Sequence, residues 1–575
     1  MTSQASVEYH RWLSSEELTA REKDELLSIS EDEESIRLRF SSPMSFGTAG
    51  LRSTMELGIG SMNRFTVAAA SAAMAKLVLD AGGEKRGVAI AYDSRNNSRS
   101  FAEISACVLA ERGVKAYLFD GVRPTPELSF AVRDLGAIAG INITASHNPK
   151  EYNGYKAYWE DGAQISPKQA DVVAGAMGEI DPLDSIPRLS LSDAIERGLV
   201  TILGEDYDER YLAAVLETAV DRTAVPAVSD SLAIVYTPLH GAGHRLVPEI
   251  LSRMGLKKLY TVDSQMTLDG NFPTVKKPNP EYADVFADGI RIANEVGSDL
   301  VIATDPDADR IGVVCRTSDG SFKTITGNQM GALLLDYVIR GRRRQGRLTP
   351  LDYAVKSVVS TPLADAIAER EGVVLHDVLT GFKYIGEVIY SYERSARPGA
   401  FLMGFEESYG YLFGSYARDK DAVGAAMMIT EMTAAYRAEG MTLCDALERL
   451  YASYGVYLES NIEIYMQGLD GIERRRETMR RLRSEPPRAI GSDAVVSVSD
   501  YLSGKVVSLL DGSEGETGLP KSDVLLFRLA SGARVIVRPS GTEPKIKVYL
   551  LVSGPDAESA SAAVEAIKEG ARALV

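Results

Sequence analysis

Three times along the chain, short apolar segments alternate with helical segments, and each series ends in a polar loop. Strands are predicted at 87–92, 114–119 and 137–144, then at 232–236, 259–262 and 300–303, and again at 354–359, 373–378 and 400–403. Helices are predicted between them at 99–111, 126–135, 245–254, 282–296, 362–371 and 383–392. Because consecutive parallel strands are joined by a crossover, this alternation predicts parallel sheets with helices on their faces.

The pattern changes after Tyr451, where a charged helix at 474–483 is followed by short β-like runs and a closing helix at 558–574. Strands followed by a helix, without crossover spacing, indicate a small α+β domain. A chain of 575 residues is too long for one core. We therefore expect an α/β protein: three consecutive α/β domains with mixed, mainly parallel sheets and a C-terminal α+β domain, arranged around a central cleft. The predicted boundaries are 1–208, 209–325, 326–455 and 456–575.

The overall charge is strongly negative. A net charge of −17 argues against nucleic acid or an anionic membrane as a partner. An anionic substrate would require the protein to gather positive charge locally. The N-terminal segment has no apolar signal-peptide core, and no run approaches the roughly 20 apolar residues that a membrane span needs. These features predict a cytoplasmic protein.

The first series ends in the loop that contains Ser146 and His147. The loop follows an apolar strand, and the Asn-Pro and Asn-Gly pairs at 148–149 and 153–154 are typical of turns. Ligands of open α/β sheets bind at the carboxyl ends of strands, so this position favours a functional serine. Taken alone, Ser146 also fits an ordinary surface loop in which it caps the next segment. His147 is not expected to activate Ser146, because adjacent side chains diverge.

The second series ends in three aspartates, Asp305, Asp307 and Asp309, followed by Arg310. Carboxylates this close repel one another, which raises one or more of their pKa values unless a cation is present. Hard oxygen ligands favour Mg²⁺, Mn²⁺ or Ca²⁺, and Mg²⁺ often keeps part of its shell for water or phosphate oxygens. The triplet predicts a metal site for phosphoryl chemistry, with Arg310 on the same phosphate. The alternative is a solvated acidic turn.

Two further loops carry groups that suit a phosphorylated sugar. Glu406 and Ser408 follow the third series, and a carboxylate beside a hydroxyl fits vicinal sugar hydroxyls. The stretch 538–545 offers a guanidinium, two hydroxyls and a glycine backbone, a set that suits a phosphate dianion. Positive charge is also available from Arg52, Lys383 and Lys420. Each fragment alone also describes an ordinary turn or a surface charge.

Other catalytic templates are missing from the sequence. It contains no GxxxxGK[ST] phosphate loop, which argues against an ordinary NTPase. The stretch 241–246 lacks the last glycine of the dinucleotide fingerprint, and Ser146 lacks the flanking glycines of a nucleophile elbow.

Four loops together resemble the signature loops of the α-D-phosphohexomutase family, and within it the phosphoglucomutase/phosphopentomutase branch. They are Thr-Ala-Ser-His-Asn-Pro at 144–149, Asp-Pro-Asp-Ala-Asp-Arg at 305–310, Gly-Phe-Glu-Glu-Ser-Tyr-Gly at 404–410 and Arg-Pro-Ser-Gly-Thr at 538–542. The resemblance spans about residues 45–552. It implies that the four domains carry a phosphoserine loop, a metal-binding loop, a sugar-binding loop and a phosphate-binding loop in turn.

The resemblance also implies a role for individual residues. Ser146 would carry a phosphoryl group and would hold one Mg²⁺ together with Asp305, Asp307 and Asp309. The residues near the reacting groups would be His147, Lys156, Arg310 and Lys420. The residues that bind the substrate would be Arg52, Thr380, Gly381, Lys383, Glu406 and Ser408. The non-reacting phosphate would be held by Arg538, Ser540, Gly541 and Thr542.

The reaction that the resemblance implies is a reversible, Mg²⁺-dependent interconversion of α-D-glucose 1-phosphate and glucose 6-phosphate. The phosphoserine would donate to the 6-hydroxyl and give glucose 1,6-bisphosphate, which serves as intermediate and activator. Its 1-phosphate would then return to Ser146. The partners would be small sugar phosphates, and the protein would be a monomer or a small homo-oligomer.

Three alternatives stay open. The stretch 538–545 also resembles phosphopentomutases, so pentose phosphates or the synthesis of glucose 1,6-bisphosphate remain candidate activities. The Asp305-x-Asp307 pair after a strand resembles haloacid-dehalogenase-type phosphatases, in which Asp305 itself would be phosphorylated. A catalytically silent sugar-phosphate-binding protein is the third alternative, although the retained Ser146 and the three aspartates argue against it.

Overall fold

The structure is a computed structural model that describes residues 3–47, 50–184, 186–396, 399–466, 468–540 and 545–575. The chain divides into two structural units. Unit 1 comprises Met1–Ile325, Ile389–Arg394 and Gly410–Ala438. Unit 2 comprises Thr326–Val388, Ser395–Tyr409 and Glu439–Val575.

The first sheet belongs to unit 1. Its strands are β1 (Leu51–Thr54), β2 (Val88–Tyr92), β3 (Ala116–Phe119), β4 (Ala139–Ile143), β5 (Tyr152–Trp159) and β6 (Val200–Leu203). The helices of this part are α1 (Gln4–Leu13), α2 (Ala20–Leu27), α3 (Glu33–Phe40), α4 (Arg64–Asp80), α5 (Ser98–Glu111), α6 (Thr125–Asp134), α7 (Pro167–Gly178), α8 (Leu191–Glu196), α9 (Glu205–Leu216) and α10 (Ala224–Val228). The strand order is β1-β5-β4-β2-β3-β6, in which β4, β2, β3 and β6 are parallel and β5 pairs antiparallel with both β4 and β1. Every residue of β2 and β4 is buried, as expected for central strands covered on both faces.

Strand β5 contradicts the predicted turn at Asn153 and Gly154. Both residues lie inside β5, where Gly154 pairs with Arg52 of β1. A Cβ atom on Gly154 would lie 2.5 Å from the carbonyl oxygen of Thr144 and 2.8 Å from that of Leu51. The glycine therefore allows three strands to approach closely, and the Asn-Gly pair does not form a turn.

The second sheet also belongs to unit 1. Its strands are β7 (Ala233–Thr237), β8 (Lys258–Thr261), β9 (Leu300–Thr304), β10 (Ile311–Arg316) and β11 (Phe322–Ile325), and its helices are α11 (Gly243–Arg253), α12 (Asp263–Met266) and α13 (Ala287–Val296). The strand order is β11-β10-β9-β7-β8, with β9, β7 and β8 parallel and β10 antiparallel to both β9 and β11. The helix predicted at 282–296 begins as a 3₁₀ turn, Ala283–Phe286, before α13. The aspartate loop connects β9 to β10.

The third sheet has its parallel centre in unit 2. The helices of this part are α14 (Gly327–Arg344), α15 (Leu363–Glu371), α16 (Phe382–Glu393), α17 (Ala422–Ala438) and α18 (Leu443–Tyr454), and its strands are β12 (Tyr353–Ser357), β13 (Val374–Val378), β14 (Phe401–Glu406) and β15 (Gly410–Leu412). Strand β12 pairs in parallel with both β13 and β14. Helix α17 lies in unit 1 and is buried along almost its whole length, which fits its mainly apolar sequence.

The C-terminal part of unit 2 is an antiparallel sheet covered by helices. Its strands are β16 (Val456–Tyr465), β17 (Ala489–Ile490), β18 (Asp493–Asp500), β19 (Lys505–Ser508), β20 (Glu514–Glu516), β21 (Leu525–Leu529), β22 (Arg534–Pro539) and β23 (Lys545–Gly554), and its helices are α19 (Gly468–Ser484) and α20 (Ala557–Arg572). The strand order is β16-β23-β22-β21-β18-β19-β20, and β17 pairs with β18. One core joins Val564 and Ile567 of α20 to Val548 and Leu550 of β23.

The predicted fold class is confirmed: mixed α/β sheets are followed by a C-terminal α+β part. The alternation did not predict the strands β1, β5, β10 and β11, which form the antiparallel pairs of these two sheets. The four domain boundaries remain a prediction. Among the described residues, no helix combines the length and the apolar character needed to cross a membrane.

Candidate active site

Ser146 lies just beyond the carboxyl end of β4, buried and held in an unusual conformation. Its φ is +53°, in the left-handed region that costs a non-glycine residue about 1–2 kcal/mol. The hydroxyl of Thr144 accepts the backbone N–H of Ser146 at 2.8 Å. Only 3% of Ser146 is exposed, so its side chain is shielded from bulk water. A strained serine at a strand end is typical of a functional position.

The Ser146 hydroxyl contacts two groups. It donates to Oδ2 of Asp305 at 2.8 Å and lies 3.2 Å from Nδ1 of His147. The expectation that the side chains of Ser146 and His147 would diverge is wrong, because the left-handed backbone at Ser146 turns both toward the same side. His147 is therefore within reach of the hydroxyl proton.

The three aspartates of the second loop form one buried cluster, with ligand oxygens within 4.8 Å of one another. Oδ1 of Asp305 accepts the backbone N–H groups of Asp309 and Arg310 at 3.1 and 3.0 Å. Oδ1 of Asp307 and Oδ1 of Asp309 are buried with no hydrogen-bond partner among the described residues. Carboxylate oxygens left unpaired side by side fit a hard divalent cation. The residues present therefore fit the predicted metal site.

The pKa values of the three carboxyl groups are driven apart. Burial and the neighbouring Asp307 and Asp309 raise the pKa of Asp305 well above its usual range. Burial also acts to raise the pKa of Asp309, but Lys420 and Lys156 lower it further than burial raises it. The cluster is therefore poised for added positive charge beside Asp305.

Two lysines supply positive charge to this cluster. The Nζ atom of Lys156, on β5, lies 2.7 Å from Oδ2 of Asp307 and 3.2 Å from Oδ2 of Asp309. The Nζ atom of Lys420 also lies 3.2 Å from Oδ2 of Asp309, and 3.0 Å from Oδ1 of Asp419. Burial acts to lower the pKa of Lys156, but the two aspartates raise it above its usual value. Both predicted lysines therefore reach the aspartate cluster.

The arginines predicted for this site lie at its border. Nη1 of Arg310 donates to Oε1 of Glu281 at 2.6 Å, and Nη1 of Arg52 donates to Oδ1 of Asn148 at 3.1 Å. Burial, together with these two arginines, lowers the pKa of His147 well below its usual value. These surroundings therefore favour the neutral form of the His147 imidazole.

The sequence interpretation missed three residues that support the site. Thr125 donates from Oγ1 to Oδ2 of Asp307 at 2.7 Å. Asp93 and Arg95 lie just after β2 and bond to the Ser146 loop. An Asp-Ser-Arg sequence at the carboxyl end of a predicted strand was the available signal for this pair, because that edge is where site residues concentrate.

In unit 2, two predicted sugar-binding residues meet. Oε1 of Glu406, at the end of β14, accepts the backbone N–H of Gly381 at 2.7 Å. Oγ1 of Thr380 is buried and has no hydrogen-bond partner among the described residues. The ammonium group of Lys383 lies 5.0 Å from the centre of the Tyr384 ring. Ser408 follows in the turn after β14. The structure thus joins the loop at 380–383 to the loop at 406–408.

The predicted phosphate loop follows β22 in unit 2. Nη1 of Arg538 donates to the hydroxyl of Tyr549 at 3.4 Å, and the backbone N–H of Ser540 donates to the carbonyl of Lys545 at 2.9 Å. The remaining predicted members of this loop, Gly541 and Thr542, lie outside the described residues. The loop therefore begins at the end of β22 and returns to β23.

Comparison with known families finds four matching models along the chain. Residues 43–183, 209–320 and 326–454 match the phosphoglucomutase/phosphomannomutase α/β/α domains I, II and III. Residues 513–569 match the phosphoglucomutase/phosphomannomutase C-terminal domain. The first three models contain the serine, aspartate and Glu406 loops described above.

Individual proteins give a similar result. A phosphoglucomutase of Staphylococcus aureus (strain MRSA252) is 36% identical over 531 residues, which cover 92% of this chain and 93% of the relative. A phosphoglucomutase of Staphylococcus epidermidis is 37% identical over 516 residues, which cover 89% and 91%. The open form of pp63/parafusin, a phosphoglucomutase of Paramecium, has a similar structure, with a TM-score of 0.68, 17% identity and coverage of 92% and 96%.

Proposed function

The chain belongs to the phosphoglucomutase/phosphomannomutase family and is an isomerase that transfers a phosphoryl group, and on that premise we propose that it interconverts α-D-glucose 1-phosphate and glucose 6-phosphate through a phosphoserine at Ser146. The observation that carries this proposal is the buried hydroxyl of Ser146, 2.8 Å from Asp305 in a cluster of three aspartates and two lysines. Glucose phosphates are the preferred substrates, because the relatives at 36% and 37% identity are phosphoglucomutases.

The proposed reaction has two phosphoryl transfers. In the first, the 6-hydroxyl of glucose 1-phosphate attacks the phosphoserine and loses its proton, the bond from phosphorus to Oγ of Ser146 breaks, and Oγ takes up a proton. The new ester is glucose 1,6-bisphosphate. In the second, Oγ of Ser146 loses its proton and attacks the 1-phosphate. The bond from phosphorus to O1 of the sugar breaks, and O1 takes up a proton, so that glucose 6-phosphate is released. Two groups lie within reach of the proton that Ser146 loses: Oδ2 of Asp305, 2.8 Å from Oγ, and Nδ1 of His147, 3.2 Å from Oγ.

We propose Mg²⁺ as the cofactor of this centre, held by the carboxylates of Asp305, Asp307 and Asp309. The support is chemical: the cluster is built from oxygen ligands, and two of these oxygens are buried without a partner among the described residues. When bound, the ion supplies charge neutralisation at the serine oxygen, which is otherwise a poor leaving group. Lys156 and Lys420 bind the same carboxylates and place two further positive charges beside the transferred group.

The residues of unit 2 are proposed to recognise the substrate. The carboxylate of Glu406, fixed by the N–H of Gly381, is suited to accept hydrogen bonds from sugar hydroxyls. Arg538 and Ser540 offer a guanidinium and a hydroxyl to the phosphate that does not react. Binding energy at the non-reacting end orients the reacting end, which is the main requirement of phosphoryl transfer.

The test is to label the enzyme with glucose 1,6-bisphosphate and to assay mutase activity in the presence of Mg²⁺. We expect the wild type to form an acid-stable, hydroxylamine-resistant phosphoenzyme. Ser146→Ala should form none, and its mutase activity should fall by at least about 10³-fold. Ser100→Ala, which removes an exposed hydroxyl on α5, is the matched control and should keep both. A hydroxylamine-labile phosphoenzyme lost in Asp305→Asn instead would identify an aspartyl phosphatase and refute the proposal.

Pentose phosphates are the second candidate, because the stretch that begins at Arg538 resembles the phosphopentomutase branch as well. A coupled assay with the 1-phosphates of glucose, mannose, ribose and glucosamine separates the two. We expect the highest kcat/KM with glucose 1-phosphate. Equal or faster turnover of ribose 1-phosphate would move the protein to the pentose branch while leaving the phosphoserine mechanism intact.

A further inference from the structure

A buried arginine just after β2 forms hydrogen bonds to the backbone of the loop that carries Ser146. Nη2 of Arg95 donates to the carbonyl oxygens of Ser146 and Asn148, both at 2.5 Å, and Nη1 donates to those of Pro149 and Tyr152 at 2.8 and 3.1 Å. Only 3% of Arg95 is exposed. A planar guanidinium can serve four carbonyls at once because its donors are fixed in a fork, a geometry that a lysine ammonium does not have.

The same arginine is fixed by a carboxylate that reaches the other end of the loop. Nε of Arg95 lies 3.2 Å from Oδ2 of Asp93, and both side chains are fully buried. Oδ2 of Asp93 also accepts the hydroxyl of Thr144 at 2.6 Å, and Thr144 in turn accepts the N–H of Ser146 at 2.8 Å. Oδ1 of Asp93 accepts the hydroxyl of Ser98 at 2.7 Å, so the carboxylate is anchored to α5.

The two sets of contacts meet at one residue. Ser146 is held through its N–H by the path from Asp93 through Thr144, and through its carbonyl by Arg95. It is also the residue whose φ of +53° departs from the usual regions for a side-chain-bearing residue. A conformation of this kind persists only where the surroundings enforce it. The hydrogen bonds to the N–H and to the carbonyl oxygen of Ser146 hold its backbone in this conformation.

We infer that Arg95 is a positioning residue that, with Asp93, locks the left-handed backbone at Ser146 and so aims Oγ at the reacting phosphorus. Arg95 does not touch the reacting atoms. It acts by fixing the loop, so its loss should slow phosphoryl transfer far more than it weakens sugar-phosphate binding. This inference rests on the proposed role of Ser146 as phosphoryl carrier.

The test compares Arg95→Lys and Arg95→Ala with the wild type in three measurements: kcat and KM, the single-turnover transfer from phosphorylated enzyme to glucose 1-phosphate, and the thermal midpoint. A displacement of about 1 Å can cost about 100-fold in rate, so we expect kcat and the single-turnover rate to fall by about that factor in Arg95→Ala, with KM changed less than about threefold. Arg99→Ala, which removes an exposed arginine on α5, is the matched control and should keep wild-type kinetics.

Two further arms separate positioning from general loss of structure. Guanidinium chloride at about 20 mM should restore at least about tenfold of the lost rate to Arg95→Ala, while sodium chloride at the same concentration should not. If Arg95→Ala does not fold, Thr144→Val, which cuts the path to the Ser146 N–H, should show the same loss of kcat at nearly unchanged KM.

The outcomes that overturn the inference are distinct from failure of the proposed function. If wild-type enzyme carries no phosphoserine, the role of Ser146 falls and this inference with it. If wild-type enzyme is phosphorylated and active but folded Arg95→Lys, Arg95→Ala and Thr144→Val keep kcat within about twofold, only the positioning role is refuted. The positioning role is also refuted if guanidinium does not restore the rate of Arg95→Ala and if the loss of rate is no larger than its unfolded fraction explains.

Discussion

The side chain of Glu127, on α6, is completely buried, and no cation forms a close ion pair with its carboxyl group among the described residues. Nε of Arg123 is 3.9 Å from Oε2 of Glu127 but bonds Asp208 at 2.6 Å, and Asp208 is also paired with Arg245. Burial, and then the neighbouring Asp208, raise the pKa of Glu127 well above its usual value. The two arginines do not compensate for this, so the neutral acid is favoured in the folded protein.

This arrangement predicts a pH dependence of stability. The pKa of Glu127 is higher in the folded state than in the unfolded state, so its protonation stabilises the folded protein. This contribution to stability is fully present below the unfolded-state pKa of about 4.3 and is lost as the pH rises through the folded-state pKa. We expect the free energy of unfolding of Glu127→Gln to fall less steeply than that of the wild type between about pH 5 and pH 8. Urea unfolding at a series of pH values measures it. Glu103→Gln, which changes a half-buried carboxylate on α5, is the control. Curves for Glu127→Gln that run parallel to the wild type would contradict the prediction.

Single residues also show where sequence reasoning succeeds and where it stops. Ser146 and Asp305 were predicted as candidates because each follows an apolar strand, at the carboxyl end of its own sheet, where ligands of α/β proteins bind. The contact from His147 to Ser146 was missed, since it depends on a left-handed backbone that the sequence does not specify at a serine. Arg95 was missed because its partners are backbone carbonyls, which any sequence offers.

At the scale of elements, β5 depends on a glycine for close packing. A methyl group on Gly154 would lie 2.5 Å from the Thr144 carbonyl oxygen, against rigid backbone. We expect Gly154→Ala to destabilise unit 1 by about 2–4 kcal/mol and to reduce activity by at least about tenfold, because β5 carries Lys156. Gly175→Ala is the matched control: no atom lies within 4 Å of its added methyl, and alanine favours helix α7 by about 1 kcal/mol.

Urea unfolding and mutase rates of the two variants measure this difference. If Gly154→Ala unfolds at the wild-type midpoint, the close approach of β5 to the Thr144 and Leu51 carbonyls is not what the strand requires.

Elements whose sequence pattern is local were predictable, and those that depend on distant partners were not. The parallel strands β2, β4, β7 and β9 are apolar runs next to helices, so alternation alone located them. Strand β5 contains Asn-Gly, a strong turn signal in isolation, and only the neighbouring β1 and β4 explain why the pair is extended. Tertiary packing overrode the local preference.

At the scale of the whole molecule, the site in unit 1 is assembled from segments far apart in the chain. Lys420 and Asp309 both contribute to it although more than a hundred residues separate them, as do Ser146 and Asp305. No periodicity or spacing in the sequence indicates that these segments meet. Only the resemblance of the four loops to one family placed Lys420 beside the aspartates in advance.

A metal held by these aspartates should stabilise unit 1 in particular. A ligand that binds only the folded state adds about 2.7 kcal/mol at a concentration 100 times its Kd. We expect Mg²⁺ to slow amide hydrogen exchange at 144–149 and 305–310, because it would bind the aspartates and relieve the repulsion that raises the pKa of Asp305. A chelator should reverse the effect, and Asp307→Asn should abolish most of it.

The amides of β21 and β22, in unit 2, serve as the internal reference for that measurement, since no aspartate of the cluster lies in unit 2. Protection that rises equally throughout the chain would indicate nonspecific binding of the ion to a protein of net charge −17. Protection that is unchanged at 305–310 in saturating Mg²⁺ would show that the lysines alone neutralise the carboxylates. In that case the buried oxygens of Asp307 and Asp309 would need another partner.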